Sequence, residues 1–287
     1  MAKTWQGAAA PLHPARGLRD WLRVIRRGVP LAILVFGALL LLLLIRLIER
    51  PIYGLRRPLT PHITQWVCRT ALILLGIRFR NQGKAMRGPG AVVANHASWL
   101  DIFALNARKR IYFVSKSEVA GWPGIGWLAR ATGTVFIRRD RRDTLDQIAI
   151  FKARLQAGHK LLFFPEGTST DGLQVLPFKP TLFAAFFDPA LRDMMQVQPV
   201  TVRYRAPAGA DPRFYGWWGD MGFGPHLLAT LAAKRQGEVC VIYHPPVAVR
   251  DFADRKGLAL ALENQVRAGL MPEGGAAPLS PPEYLPK

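Results

Sequence analysis

The feature that most constrains this chain is an uncharged apolar run from Gly28 to Ile45. Crossing the hydrocarbon core of a bilayer takes about 20 apolar residues, and this run lies at the lower end of the workable range. Arginines flank the run on both sides, so the charge distribution indicates no orientation. No small-residue cleavage pattern follows Ile45, which disfavours a removable signal peptide. We therefore predict a retained membrane-associated segment.

A second apolar stretch, from Trp66 to Ile77, is interrupted by Arg69 and is too short to span a bilayer unaided. It fits a re-entrant or interfacial segment, and it fits equally well a core helix of a soluble domain, because length alone does not separate the two. With both stretches, residues 18–80 are predicted to form a membrane-associated helical segment. A disordered N-terminus is expected at residues 1–17 and a Pro-rich tail at residues 271–287.

The net charge of the chain limits the classes of partner that it is expected to bind. The 287 residues include 39 Lys and Arg against 19 Asp and Glu, a formal net charge of +20. Such a field favours a phospholipid surface or nucleic acid. The positive charge is scattered and no nucleic-acid-binding motif occurs, so we expect an anionic membrane surface and no nucleic acid. The two cysteines, Cys68 and Cys240, are far apart, and neither a zinc site nor a disulfide framework is indicated.

From Ala91 onward, strand-like and helix-like segments alternate, which is typical of an α/β fold. We predict a mixed central sheet flanked by helices. Strands are predicted at residues 91–94, 111–114, 134–137, 160–164, 197–204 and 239–243, and helices at residues 99–107, 122–131, 144–157, 179–187 and 254–270.

A histidine and a carboxylate lie just after the first of these strands. His96 and Asp101 belong to the segment Asn95–Asp101, which follows the apolar run Ala91–Ala94. A neutral imidazole takes a proton from a hydroxyl near neutral pH, and a neighbouring carboxylate orients the ring and stabilises the imidazolium that forms. Ser98 and Asp101 also fit the pattern of a helix start, in which Asp101 only caps a helix. Both interpretations are open from these residues alone.

Polar side chains also follow three other predicted strands. Lys116 lies just beyond one strand, and Arg138 ends another. Ligands of open α/β sheets gather at the carboxyl ends of strands, and arginine suits phosphate or carboxylate groups. After the third strand, Gly167 lets the backbone approach a ligand or a developing oxyanion, and Glu166 and Thr168 are candidates to bind substrate hydroxyls. Solvated turns are the alternative for each segment.

Four segments of this chain resemble, in order, the four motifs of the glycerolipid acyltransferases typified by 1-acylglycerol-3-phosphate acyltransferase. They are His96-x4-Asp101, Phe136–Arg138, Phe164–Thr168 and Val197–Val200. The resemblance covers residues 60 to 250, and it identifies residues 81–270 as an acyltransferase domain.

The resemblance implies a reaction and the residues that perform it. His96 would be the general base and Asp101 its orienting partner, while Lys116 and Arg138 would face the anionic group of the acceptor. The acyl donor would be a thioester of acyl carrier protein or coenzyme A, the acceptor a lysolipid, and no cofactor or metal is expected. We predict an inner-membrane enzyme whose active site faces the cytoplasm.

One departure from the family pattern bears on the acceptor. Members that act on lysophosphatidic acid usually have an arginine where this chain has Ser169. The runs Gly167–Gly172 and Phe214–Met221 look more similar to bacterial lyso-ornithine lipid acyltransferases. Both lysophosphatidic acid and lyso-ornithine lipid therefore stay possible acceptors.

The alternative from another class is a non-enzymatic basic membrane-binding protein. A metal-dependent hydrolase is disfavoured because no second histidine lies at ligand spacing near His96.

Overall fold

The computed structural model describes residues 4–7, 9, 11, 17–88, 90–122, 124–137 and 144–271. Its α-helices are α1 (Leu18–Tyr53), α2 (Thr60–Leu75), α3 (Asp101–Arg108), α4 (Ile125–Thr132), α5 (Thr144–Gln156), α6 (Pro189–Arg192), α7 (Phe223–Ala232) and α8 (Arg255–Leu270). Its strands are β1 (Arg78–Gly83), β2 (Gly90–Ala94), β3 (Tyr112–Lys116), β4 (Val135–Ile137), β5 (Lys160–Phe163), β6 (Gln196–Arg205), β7 (Glu238–Tyr243) and β8 (Val247–Ala248). Short 3₁₀ helices occupy Ser117–Gly121, Pro180–Phe187 and Val249–Asp251.

The strands form one mixed sheet, which confirms the predicted α/β class. The strand order is β1-β7-β6-β2-β5-β3-β4, and β8 pairs with β6. The pairs β2–β5, β2–β6, β3–β5, β3–β4 and β1–β7 are parallel, whereas β6 is antiparallel to β7 and β8. The carboxyl ends of β2, β5, β3 and β4 therefore lie at the same edge of the sheet.

Alternating side chains divide the sheet into two faces, each covered by helices. Val92 and Leu162 pack with residues of α1, α2, α3 and α7 on one face. Val93 and Leu161 pack with residues of α5, α8 and the 3₁₀ helix Pro180–Phe187 on the other. The protein thus has helix, sheet and helix layers, and the central strands are buried on both sides.

Helix α1 contains the apolar run and extends beyond it at both ends. By length and composition it is able to cross a membrane, and about 17% of its most apolar window is buried. Its N-terminal part is attached to α7, because the buried Arg27 guanidinium donates hydrogen bonds to the carbonyls of Leu231 (2.8 Å) and Ala233 (2.6 Å). One side of α1 therefore rests on the domain and the other exposes leucine, isoleucine and phenylalanine side chains.

Helix α2 combines the two interpretations of the second apolar stretch. Ala71, Leu72 and Leu75 belong to the hydrophobic core, whereas Trp66 and Ile73 are exposed. The helix is therefore a core helix on one side and presents apolar groups on the other.

The carboxylate of Glu49 joins α1 and α2 into a hairpin. It accepts hydrogen bonds from the backbone N–H groups of Leu59 (2.8 Å) and Thr60 (3.2 Å) and pairs with Arg46. Because Glu49 lies on α1 and its amide partners lie at the start of α2, this carboxylate holds the connection between the helices.

Several elements differ from their predicted form. Strand β1 was not predicted because its sequence, RFRNQG, is polar, and it is tolerated because most of its residues are exposed. Residues 180–187 form a 3₁₀ helix rather than an α-helix, and α7 was not predicted. Helix α3 begins at Asp101, two residues after its predicted start, because residues 97 and 98 use their amides to bind Asp101.

Two predicted terminal segments lie largely outside the described residues. The tail at residues 272–287 and most of residues 1–16 are not among them. The division at residue 80 stays a prediction, and β1 runs across it.

Candidate active site

The turn that follows β2 is held against the neighbouring strand β6. The side-chain amide of Asn95 donates a hydrogen bond to the carbonyl of Val202 (2.9 Å), and its oxygen accepts one from the Val202 N–H (2.7 Å). Asn95 is fully buried. The paired bonds satisfy a backbone donor and acceptor of β6 and so define where the next residue, His96, leaves the sheet.

His96 and Asp101 are in direct contact. The Nδ1 atom of His96 lies 2.7 Å from Oδ2 of Asp101, and the Asp101 side chain is fully buried. The same carboxylate accepts hydrogen bonds from the N–H groups of Ala97 (2.9 Å) and Ser98 (3.1 Å) and from the Tyr204 hydroxyl (2.8 Å). A buried carboxylate needs such donors, and here they also orient it towards the imidazole.

The orientation of the imidazole determines which nitrogen faces the substrate side. With Nδ1–H donated to Asp101, Nε2 carries the lone pair that accepts a proton. The ring stacks on Phe164 with a centroid distance of 4.1 Å, and the His96 side chain is 23% exposed. The histidine is thus packed on one side and accessible on another, which is what proton transfer with a bound hydroxyl requires.

Tyr204 supports the carboxylate from β6. Burial raises the pKa of the Tyr204 hydroxyl well above its usual range, and the negative charge of Asp101 raises it further. The hydroxyl is therefore neutral at physiological pH and donates its hydrogen to Asp101. No sequence pattern pointed to Tyr204, because its partner lies about a hundred residues earlier in the chain.

Glu166 lies behind His96. Its Oε1 accepts a hydrogen bond from the backbone N–H of His96 and its Oε2 accepts one from the N–H of Leu176, both at 2.7 Å. The residue is 1% exposed, and burial raises the pKa of its carboxyl to about 8 although the two amides act in the opposite direction. This placement favours a positioning role over the contact with substrate hydroxyls expected from the sequence.

The loop after β5 is tied to the histidine turn. Gly167 has a φ of 73°, which suits glycine, and its N–H donates to the carbonyl of Phe164 at 3.0 Å. The N–H of Thr170 donates to the His96 carbonyl at 2.9 Å. The Thr168 hydroxyl accepts a hydrogen bond from the N–H of Trp5 at 3.3 Å, a contact with the N-terminal segment that the sequence did not indicate.

The segment Phe214–Met221 borders the same turn. The N–H of Trp217 donates to the carbonyl of Ala97 at 2.8 Å. A Cβ atom at Gly216 would lie 2.6 Å from the Asp171 carbonyl oxygen, so only glycine allows this close approach. The two runs that look similar to lyso-ornithine lipid acyltransferases, residues 167–172 and 214–221, therefore pack against each other beside His96.

Of the other two predicted binding residues, Lys116 lies at the same edge of the sheet. Lys116 is the last residue of β3 and pairs in register with Ile137 at the end of β4. Arg138 follows Ile137 but lies outside the described residues. Because β2, β5, β3 and β4 are parallel, Lys116 and the loop at Gly167 share the edge from which His96 emerges.

An aromatic cluster extends from the histidine turn to α7. The indole N–H of Trp99 donates to Nδ1 of His226 at 2.9 Å, and its ring packs edge-on against Phe223 at a centroid distance of 5.4 Å. Sequence reasoning missed His226 and Phe223, because the short α7 carried no motif.

The fold agrees with the comparisons. Residues 76–203 match the family model named Acyltransferase. The structure is similar to the crystal structure of the 1-acyl-sn-glycerophosphate acyltransferase from Thermotoga maritima, with a TM-score of 0.63, 22% identity, and 88% and 95% of the two chains covered. At that identity the similarity concerns the fold.

The closer sequence relatives have names that specify an acceptor. The chain is 56% identical over 266 residues to a lyso-ornithine lipid O-acyltransferase from Rhodobacter capsulatus, covering 93% of this chain and 96% of that one. It is 30% identical over 238 residues to a 1-acyl-sn-glycerol-3-phosphate acyltransferase from Neisseria gonorrhoeae, covering 72% and 89%. The chain belongs to the acyltransferase family, which confirms the resemblance and decides against the non-enzymatic alternative.

Proposed function

We propose that this protein transfers an acyl chain from a thioester to the free hydroxyl of lyso-ornithine lipid, with lysophosphatidic acid as the second candidate acceptor. The contact of His96 with the buried Asp101 carries the chemistry. The acceptor is supported by the 56% identity to a lyso-ornithine lipid O-acyltransferase, against 30% to an enzyme named for the phosphate-bearing lipid. Ser169, in place of the arginine usual for that lipid, agrees with this preference.

The mechanism is general-base catalysis. Nε2 of His96 takes the proton of the acceptor hydroxyl while the oxygen attacks the thioester carbonyl carbon. Asp101 stabilises the imidazolium, and Tyr204 and the two amides keep the carboxylate in place. The tetrahedral intermediate collapses with cleavage of the C–S bond, and the departing sulfur receives the proton from His96. The histidine is regenerated and no acyl-enzyme forms.

The remaining predicted residues bind the substrates, with the exception of Glu166. Lys116 and Arg138 contact the anionic group of the acceptor, which is a carboxylate in the ornithine headgroup. Gly167 and Thr168 form the loop beside the reacting atoms, and Glu166 positions the His96 backbone. The acyl donor is acyl carrier protein or coenzyme A thioester.

The protein acts at the membrane where its acceptor resides. The exposed apolar side of α1 contacts the acyl chains, and the net charge of +20 holds the domain on anionic lipid. Because acyl thioesters are cytoplasmic, the protein lies on the inner membrane with His96 facing the cytoplasm.

Acyl transfer by the purified full chain tests this proposal. A labelled acyl thioester is offered with lyso-ornithine lipid and, separately, with lysophosphatidic acid. We expect transfer to lyso-ornithine lipid and a loss of about 10²- to 10⁴-fold in His96→Ala, since that is the usual contribution of a general base. The matched control is His62→Ala, which replaces an exposed histidine and leaves the rate unchanged.

The outcomes separate the two parts of the proposal. Transfer confined to lysophosphatidic acid would reject the preferred acceptor and leave the chemistry intact. A wild-type rate in His96→Ala would reject the mechanism.

A further inference from the structure

A basic pocket lies at the edge of the sheet opposite to His96. It has a volume of about 230 Å³ and lies where β3 and β5 begin, next to the connection between α1 and α2. The polar side chains that line it are those of Arg57, Lys109, Arg110, Tyr112, His159 and Lys160. Among the described residues, none of those lining the pocket is acidic.

The positive charges in this pocket repel one another. Burial lowers the pKa of Arg57 to about 10, and the nearby cations Arg46 and Arg154 contribute in the same direction, whereas Tyr112 and Glu49 act in the opposite one. Burial also lowers the pKa of Lys109 and of Lys160, with a further contribution from the charge of Arg110 on each. Over the part of the chain that the structure describes, the wall of this pocket carries four cations and no carboxylate, which suits it electrostatically to an anion.

The contacts that hold the wall of the pocket in place are with a backbone carbonyl and with aromatic rings, and these do not neutralise its positive charge. The Arg57 guanidinium donates to the carbonyl of Ala131 at 2.8 Å, which orients it without neutralising it. Tyr112 stacks on His159 with a centroid distance of 4.0 Å, and Arg154 lies over the Tyr112 ring at 5.5 Å. A backbone carbonyl thus holds the Arg57 guanidinium, and the stacked rings of Tyr112 and His159 form a packed aromatic part of the wall.

The surroundings of the pocket indicate where the anion comes from. Tyr53 is the last residue of α1, and Leu55 and Leu59 lie on either side of Arg57 in the connection to α2; all three side chains are about half exposed. They continue the exposed apolar side of α1. When these three side chains are inserted in the lipid, the adjacent pocket lies at the depth of the headgroup phosphates.

We propose that this pocket binds the phosphate of an anionic glycerophospholipid headgroup, at a site separate from the acyl-transfer site. The bound lipid is then a structural partner that fixes the hairpin end of the protein at the membrane surface. The proposal extends the proposed membrane association and does not depend on which lysolipid is acylated.

Thermal unfolding of the full chain in detergent micelles tests the site. Phosphatidylglycerol added to the micelles raises Tm, because a ligand that binds only the folded state stabilises it, whereas zwitterionic phosphatidylcholine does not. In the double variant Lys109→Gln with Lys160→Gln, the mole fraction of phosphatidylglycerol for a half-maximal shift rises on the order of tenfold or more, since each basic group near anionic lipid contributes roughly fivefold.

Matched controls make the result specific. The double variant Arg255→Gln with Lys256→Gln removes the same charge from exposed positions on α8, on the other face of the sheet, and keeps the wild-type shift. Acyl transfer in the same micelles, measured for every variant, reports separately on the proposed function.

Three outcomes would overturn the proposal. The first is a rise in Tm with phosphatidylglycerol that is unchanged in the pocket variant. The second is an equal loss of that rise in the α8 control, which would show that overall positive charge, and not a specific site, binds the lipid. The third is a Tm shift with inorganic phosphate and none with phosphatidylglycerol, which would assign the pocket to a soluble phosphate.

Discussion

Four hydrogen bonds converge on the carboxylate of Asp101, from His96, Ala97, Ser98 and Tyr204. The bond with His96 is the one that the proposed mechanism uses. The two amides belong to the turn that replaces the first residues of the predicted helix, so the helix-start and catalytic interpretations of Asp101 describe the same geometry. The carboxylate organises the turn, and the turn presents the histidine.

Replacing this carboxylate by an amide tests its electrostatic role. In Asp101→Asn an oxygen still accepts from the amides, but the imidazolium is no longer paired with an anion. We expect kcat for acyl transfer to fall about 10²- to 10⁴-fold with little change in KM. Asp254→Asn, the same substitution at the N-cap of α8, is the control because asparagine also caps helices. A wild-type kcat in Asp101→Asn would contradict the mechanism.

Glu166 makes a distinct prediction about pH. Burial raises the pKa of its carboxyl to about 8 from an ordinary value of 4.5, so the folded protein holds the proton more tightly than the unfolded chain. The stabilisation is complete below about pH 4.5 and is lost as the pH rises to about 8. Glutamine does not titrate. We therefore expect the Tm of the wild type, relative to Glu166→Gln, to fall between pH 5 and pH 8.

Glu166→Gln also loses one of two hydrogen-bond acceptors, which lowers its stability by a constant amount at every pH. The slope of the difference, rather than its size, therefore reports on the titration. A difference in Tm that does not change with pH would show that the amides of His96 and Leu176 outweigh burial.

At the scale of elements, the long helix α1 is attached to the domain at two places, near its start and near its end, by charged side chains. Arg27 binds the last carbonyls of α7, where a helix carries its negative end. Glu49 binds the first amides of α2, where a helix carries its positive end. These two charged side chains lie on either side of the apolar run of α1 and hold the helix in register with its neighbours.

Removing the first of these attachments should loosen the start of α1. In Arg27→Ala the carbonyls of Leu231 and Ala233 lose their donor, and we expect faster proteolysis within residues 18–27 in detergent. Arg26→Ala removes an exposed neighbouring arginine and leaves the cleavage rate at the wild-type value. Equal rates in both variants would show that Arg27 is not needed to dock the helix, and that apolar packing and the Arg23 hydrogen bond to the Ala232 carbonyl suffice.

At the scale of the whole molecule, the protein has two chemically different edges. The carboxyl ends of β2, β5 and β3 carry His96, the Gly167 loop and Lys116, whereas the opposite edge carries the basic pocket. Both edges border the face of the sheet covered by α1 and α2. We infer that a membrane contacted through α1 lies within reach of both sites.

Much of this arrangement was predictable from local patterns. The segments Leu161–Phe163 and Val197–Val202 were recognised as strands because short apolar runs are typical of strands buried in a sheet. His96 and Asp101 were recognised because both lie within one turn, so their spacing in sequence already determines that they are close. The length of the apolar run likewise indicated α1.

Contacts between distant segments decided the rest. Tyr204 reaches Asp101, Glu166 reaches the His96 amide, and Arg57 joins Lys109 and Lys160 only because the strand order places their elements side by side. The polar β1 became a strand because β7 offered it an edge. Local periodicity carries no information about which strands become neighbours, since that order minimises the exposed area of the whole core rather than of any one segment.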